Sequence, residues 1–85
     1  MVLIKLFTSP TCPACPKAKE VLRKIVEEDR DVMVLEFSVN TDEGLREALK
    51  YDVRAVPTIV INDRYVVVGI PNYKKLKEII LKLRA

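Results

Sequence analysis

Two different spacings of apolar residues divide this chain into segments. Val2-Leu3-Ile4-Lys5-Leu6-Phe7 is apolar except for one lysine and includes branched side chains. That is the pattern of a strand buried on both faces. Thr8-Ser9-Pro10-Thr11 reads as a loop. From Cys12 to about Asp29 the spacing becomes helical, with Ala18, Val21, Leu22, Ile25 and Val26 on one stripe. Pro13 suits the first helical turn, but Pro16 lacks the N–H for a first bond to a Cys12 cap, so an irregular helix start is expected. Residues 32–39 form a second strand, with Leu35, Phe37 and Val39 on one face and Glu36 and Ser38 on the other.

Asn40 is then expected to cap a short helix, with Glu43 three residues on in capping-box geometry and Leu45, Ala48 and Leu49 as the apolar side. Thr58 to Asn62 and Tyr65 to Val68 read as a hairpin turning at Asn62-Asp63-Arg64, where Asn and Asp tolerate positive φ. Asn72 caps a last helix striped by Leu76, Ile79, Ile80 and Leu83. The order β-α-β-α-β-β-α predicts an α/β fold. The first two strands run parallel through a right-handed crossover. The last two are antiparallel, so the sheet is mixed and four-stranded, covered by three helices.

Composition narrows this further. Eighty-five residues make one domain, 1–85, with an aliphatic core: 49% of residues are hydrophobic and only 6% aromatic. Fifteen basic and 12 acidic residues leave a net charge of +3. The lysines of the last helix read as a solvated face, and no aromatic residues interleave with them as a nucleic-acid surface requires. No apolar run approaches membrane-span length, and Met1 to Phe7 is too short for a secretory signal core. The expectation is a cytoplasmic protein with no nucleic-acid or membrane partner. The absence of His, Gln and Trp, with many charges, points to a thermophilic source.

The chemistry lies at Cys12-Pro13-Ala14-Cys15. A strand that passes into a helix at a cysteine places sulfur where unpaired N–H groups and the positive end of the helix dipole favour a thiolate. The second sulfur, one turn on, is placed to attack a mixed disulfide at the first. In a reducing compartment such a pair reads as redox-active or metal-binding rather than structural. A zinc site within one chain lacks ligands, since these two cysteines are joined by no other Cys and no His. A metal or iron–sulfur cluster shared between chains and a purely structural bridge remain as other classes. Val56-Pro57-Thr58 is a second landmark: proline at a strand start is tolerated there, and a cis bond is the sharper reading.

Taken with Lys50-Tyr51-Asp52-Val53-Arg54-Ala55-Val56-Pro57-Thr58 and the hairpin ending at Gly69, the chain resembles the thioredoxin/glutaredoxin superfamily over its whole length. The resemblance implies a thioredoxin-like fold and thiol–disulfide exchange, with Cys12 as nucleophile, Cys15 as resolving thiol and no cofactor beyond the redox-active disulfide. It implies a cis Pro57 beside the disulfide and pairing of the Val56 backbone with an extended substrate. Pro13, Ala14, Gly69 and Ile70 complete the substrate-binding set. The implied partners are protein disulfides and a thioredoxin-reductase-like electron donor, and the expected state is a monomer.

The chain keeps one glycine of the pair that glutaredoxins carry after the fourth strand and lacks the following acid, so protein disulfides are expected over glutathione. The apolar rim of Ala14, Val56, Ile70 and Pro71 suits the same substrates. Thioredoxins carry an acid in the first strand where this chain has Leu6. Proton transfer at Cys15 then needs another group; Glu36 is a candidate, although an edge-strand acid more simply reads as solvated. Lys17 and Lys19 can add to thiolate stabilisation or be ordinary surface lysines.

Overall fold

A computed structural model describes residues 1–84. It contains β1 (Val2–Thr8), α1 (Cys15–Glu28), β2 (Val32–Ser38), α2 (Asp42–Lys50), β3 (Thr58–Ile61), β4 (Tyr65–Val68) and α3 (Tyr73–Arg84). The strands form one mixed sheet in the order β2-β1-β3-β4. β1 and β2 run parallel, from Val2 opposite Val32 to Thr8 opposite Ser38. β3 is antiparallel to both β1 and β4, with Phe7 opposite Thr58 and Ile61 opposite Tyr65.

Alternation along β1 sorts the core into two layers. Val2, Ile4 and Leu6 point to one face, where they meet Ala18, Leu22 and Ile25 of α1 and Leu76 and Ile80 of α3. Phe7 points to the other, with Val60 and Ala48 of α2. Helices therefore cover both faces, and the all-apolar reading of β1 holds because neither face is free. Lys5, on the α2 face, keeps its charge by bonding Tyr51 Oη (2.7 Å) and Glu47 Oε1 (2.9 Å).

Several boundaries differ from the sequence expectation. α1 begins at Cys15, not Cys12; Ala14 occupies the cap position without a side-chain cap, and Ala18 N–H donates to Ala14 O at 3.2 Å. Pro16 explains the shift, because it has no N–H to give the Cys12 carbonyl. The cap of α2 is Thr41, not Asn40: Thr41 Oγ1 accepts from Gly44 N at 3.0 Å, and Glu43 falls one position short of a capping box. Leu45 and Leu49 do not form the buried side of α2; they are exposed, and Gly44 and Ala48 face inward.

Strand β2 ends at Ser38 rather than residue 39, and β3 ends at Ile61 rather than Asn62. Leu35, at the sheet edge, is exposed. The hairpin turn is as expected: Asn62 and Asp63 both have positive φ, and Arg64 N–H closes on Ile61 O at 3.0 Å. Asn72 Oδ1 accepts from Lys75 N at 3.1 Å at the start of α3.

Candidate active site

The C-terminal end of β1 builds the site. Thr8 leads into the turn 9–14, and Cys12 N–H folds back onto Ser9 O at 3.3 Å. This brings Cys12, two residues ahead of the Ala14 cap, back against the start of α1, where it is disulfide-bonded to Cys15 with the two Cα atoms 5.5 Å apart. No acidic residue occupies the first turn of α1, so nothing there offsets the positive end of its dipole. The two cysteines differ in access. Cys15 is 3% exposed, while Cys12 is half-buried and borders an open cleft of about 290 Å³.

On the neighbouring strand, Phe7 lies opposite Thr58, so Pro57 sits at the same end of the sheet as the disulfide loop. The Val56–Pro57 bond is cis and Pro57 is buried. Pro57 O accepts from Gly69 N at 2.8 Å, and Gly69 has φ +88°, a conformation that favours glycine. Thr58 Oγ1 bonds Ala55 O at 2.7 Å, holding the turn that presents Val56. The Val56 N–H and C=O make no hydrogen bond among the described residues. Pro13 and Ile70 are exposed, and Ala14 and Val56 half-buried. Pro71 is buried, so it does not belong to the exposed rim.

The cleft holds what the sequence reading only touched on. Beside Cys12 and Cys15 it is lined by Thr8, Ser9, Lys19 and Glu36. Glu36 Oε2 accepts from the buried Thr8 hydroxyl at 3.0 Å and pairs with Lys19 Nζ at 3.0 Å. Glu36 is exposed on the edge strand, as a solvated acid would be, and Lys19 is exposed on α1, yet the two also pair with each other at the mouth of the cleft. Two sequence signals pointed here. Period two along β2 puts Glu36 on the face of Val32 and Val34, which face α1. One helical turn beyond Cys15 places Lys19 above the same cleft. Lys17 is exposed and does not line it. Among the described residues, no three His, Cys, Asp or Glu side chains gather as metal ligands.

A mixed sheet that carries two bonded cysteines at the start of a helix, one of them bordering an open cleft, has the makings of a redox protein. Comparison with known proteins agrees. A family model described as thioredoxin domain matches residues 2–81. A probable thioredoxin of Archaeoglobus fulgidus is 52% identical, over 99% of this chain and 91% of its own. A thioredoxin of Methanocaldococcus jannaschii is 43% identical, over 95% of this chain and 94% of its own. A solved mutant thioredoxin of Halobacterium salinarum superposes with a TM-score of 0.79 at 30% identity, covering 93% of this chain and 71% of its own. The chain belongs to the thioredoxin family and is a thiol–disulfide oxidoreductase.

Proposed function

We propose that this chain reduces disulfides in other polypeptides, Cys12 being the attacking sulfur and Cys15 the resolving one. The observation that carries the reading is the unequal burial of a bonded pair: Cys12 opens to the cleft while Cys15 is 3% exposed. Cys12 is the more exposed of the two and so the one a bulky substrate meets first. Cys12 as thiolate attacks the substrate disulfide and forms a mixed disulfide, releasing one substrate thiol. Cys15 attacks Cys12 and releases the second thiol, and the pair becomes the disulfide seen here. A thioredoxin-reductase-like donor then returns two electrons.

Substrate binding is assigned to Pro13, Ala14, Val56, Pro57, Gly69 and Ile70. The unpaired N–H and C=O of Val56 support pairing with an extended substrate segment, which would add a short strand beside the disulfide. The exposed Ile70 and Pro13 offer apolar contact to its side chains. We further place the protein in the cytoplasm as a single-domain monomer. A reducing compartment keeps such a pair cycling, and one sheet with helices on both faces is self-contained. No helix among the described residues is long and apolar enough to cross a membrane.

The test uses the Cys15→Ser variant, which cannot resolve its mixed disulfides. It is mixed, reduced, with a glutathionylated peptide and the adduct is weighed by mass spectrometry. Peptide on Cys12 is the expected result. Glutathione on Cys12 would replace the protein substrate with a small thiol, and no adduct would remove Cys12 from the nucleophile's role.

A further inference from the structure

Cys15 must lose a proton when it resolves the mixed disulfide, and it is too buried to give that proton directly to bulk water. At 3% exposure a standing negative charge on its sulfur is costly, so the proton has to leave as the new bond forms. The first strand offers no base, because Leu6 is buried in the apolar layer beneath α1. Among the described residues, Glu36 is the only carboxylate that lines the cleft shared with Cys15.

Its fixation is difficult to explain by stability. Lys19 and Glu36 are 50% and 44% exposed, and an ion pair so solvated contributes at most about 1 kcal/mol. What the contacts do accomplish is placement. The Thr8 hydroxyl from β1 and the Lys19 ammonium from α1 both hold Oε2. No hydrogen bond to Oε1 is found among the described residues, which leaves that oxygen available. The other charged group near Glu36 is Arg23 of α1. It shares with Glu36 and Lys19 a hollow over Leu6 and Leu22, and Glu20 lies beyond it.

We propose that Glu36, positioned by Thr8 and Lys19, accepts the Cys15 proton through the cleft as Cys15 resolves the mixed disulfide. The inference rests on the exchange reaction proposed above. The Cys15–Cys12 sulfur bond forms and the Cys12–substrate sulfur bond breaks. The electron pair leaves on the substrate sulfur, and the Cys15 proton passes across the shared cleft to the Glu36 carboxylate. Two thiols are oxidised to one disulfide and the substrate disulfide is reduced. The half-exposed carboxyl then releases the proton to solvent. When a donor reopens the disulfide, the same path runs backwards and reprotonates Cys15.

Dithiobis(nitrobenzoate) separates the steps, because each releases one coloured aryl thiolate. Attack by Cys12 gives the first phase and resolution by Cys15 the second. In stopped-flow mixing at pH 7, Glu36→Gln should leave the first phase within about twofold and slow the second at least about tenfold, since general-base help is typically worth 10²–10⁴. The second phase of Glu36→Gln should climb more steeply with pH between about 6 and 8 than that of the parent protein, because hydroxide must then take the base's place. Glu36→Asp should recover part of the loss. The amide can still accept from Thr8, and circular dichroism checks the fold. As an independent variant, Glu36→Ala should have its second phase, and not its first, accelerated by added formate. An unchanged second phase and pH profile in Glu36→Gln, or no formate effect in Glu36→Ala, would overturn the proposal. Failure of the parent protein to release any thiolate would remove the exchange reaction itself, and this role with it.

Discussion

Gly44 of α2 lies so close to the Ser38 carbonyl at the end of β2 that a Cβ on it would stand 1.7 Å from that oxygen. The Thr41 hydroxyl bridges the same two residues, donating to Ser38 O at 2.9 Å and accepting from Gly44 N at 3.0 Å. In an exposed helix interior, glycine to alanine gains roughly 0.5–1 kcal/mol. Here the sign should reverse. Gly44→Ala forces α2 off the sheet edge against backbone that has no rotamer to yield, and overpacking of this kind costs about 1–3 kcal/mol. A fall in the urea midpoint at unchanged slope is the expected reading; a rise would mean that α2 can slide without penalty.

The same corner separates the two candidate caps. Thr41→Ala loses the Gly44 bond and should cost about 1 kcal/mol. Asn40 is exposed and its side chain makes no hydrogen bond among the described residues, so Asn40→Ala should stay within about 0.5 kcal/mol of the parent. Equal losses from both variants in a denaturant titration would return the cap to Asn40.

Why the sequence led to Asn40 and the leucines shows what could be read there. Asn40 with Glu43 is a good capping signal by spacing, but the cap belongs to whichever hydroxyl or amide reaches a free N–H, and the close seat of Gly44 puts Thr41 there. Apolar spacing assigns Leu45 and Leu49 to the core as the largest apolar side chains of α2. That face of the sheet is already filled by aromatic rings: Phe7 stacks on Phe37 at 5.7 Å and meets Tyr51 at 6.3 Å. The helix fits over them only through small residues, Gly44 and Ala48. By contrast the strand order, the hairpin and the Cys12/Cys15 pair were legible because each rests on local chemistry: a run of branched residues, an Asn-Asp turn, two sulfurs one helical turn apart. Glu36 was visible only as a residue type. Its value depends on Thr8 and Lys19, which are 28 and 17 positions away and meet it only in the folded chain.

The Lys5 cluster gives a pH prediction. Bonds from Tyr51 and then Glu47 hold the Lys5 ammonium above its ordinary range. Bonds from Lys50 and then Lys5 hold Glu47 below its ordinary value of 4.5. A lowered carboxyl stabilises the fold above its unfolded value, and that contribution is lost as pH falls through the folded one. The raised lysine contributes below its unfolded value of 10.5 and loses it only in stronger base. Between roughly pH 5 and 10 both contributions are constant. Glu47→Gln should therefore be less stable than the parent at pH 7, with the gap narrowing as pH falls below about 4. Urea midpoints from pH 2.5 to 7 read this directly, and a gap independent of pH would assign the loss to packing rather than charge.

The last prediction concerns how substrate is held. Ile70 follows the positive-φ Gly69 at the end of β4 and is 46% exposed. Charging it should cost the fold little, within about 0.5 kcal/mol. If a substrate segment pairs along Val56, its side chains reach this rim and cover the exposed half of Ile70. Full burial of such a side chain is worth about 1.5–3 kcal/mol, so the exposed half carries about 1 kcal/mol of binding. Ile70→Asp should then raise KM for a disulfide-bonded polypeptide about fivefold, taking 1.4 kcal/mol as tenfold. A small aryl disulfide, which needs only Cys12, should react within about twofold of the parent rate. Equal slowing of both substrates would make Ile70 a support for the disulfide loop rather than a contact. No change with either would move the substrate path off this edge of the sheet and leave Val56 to bind it alone.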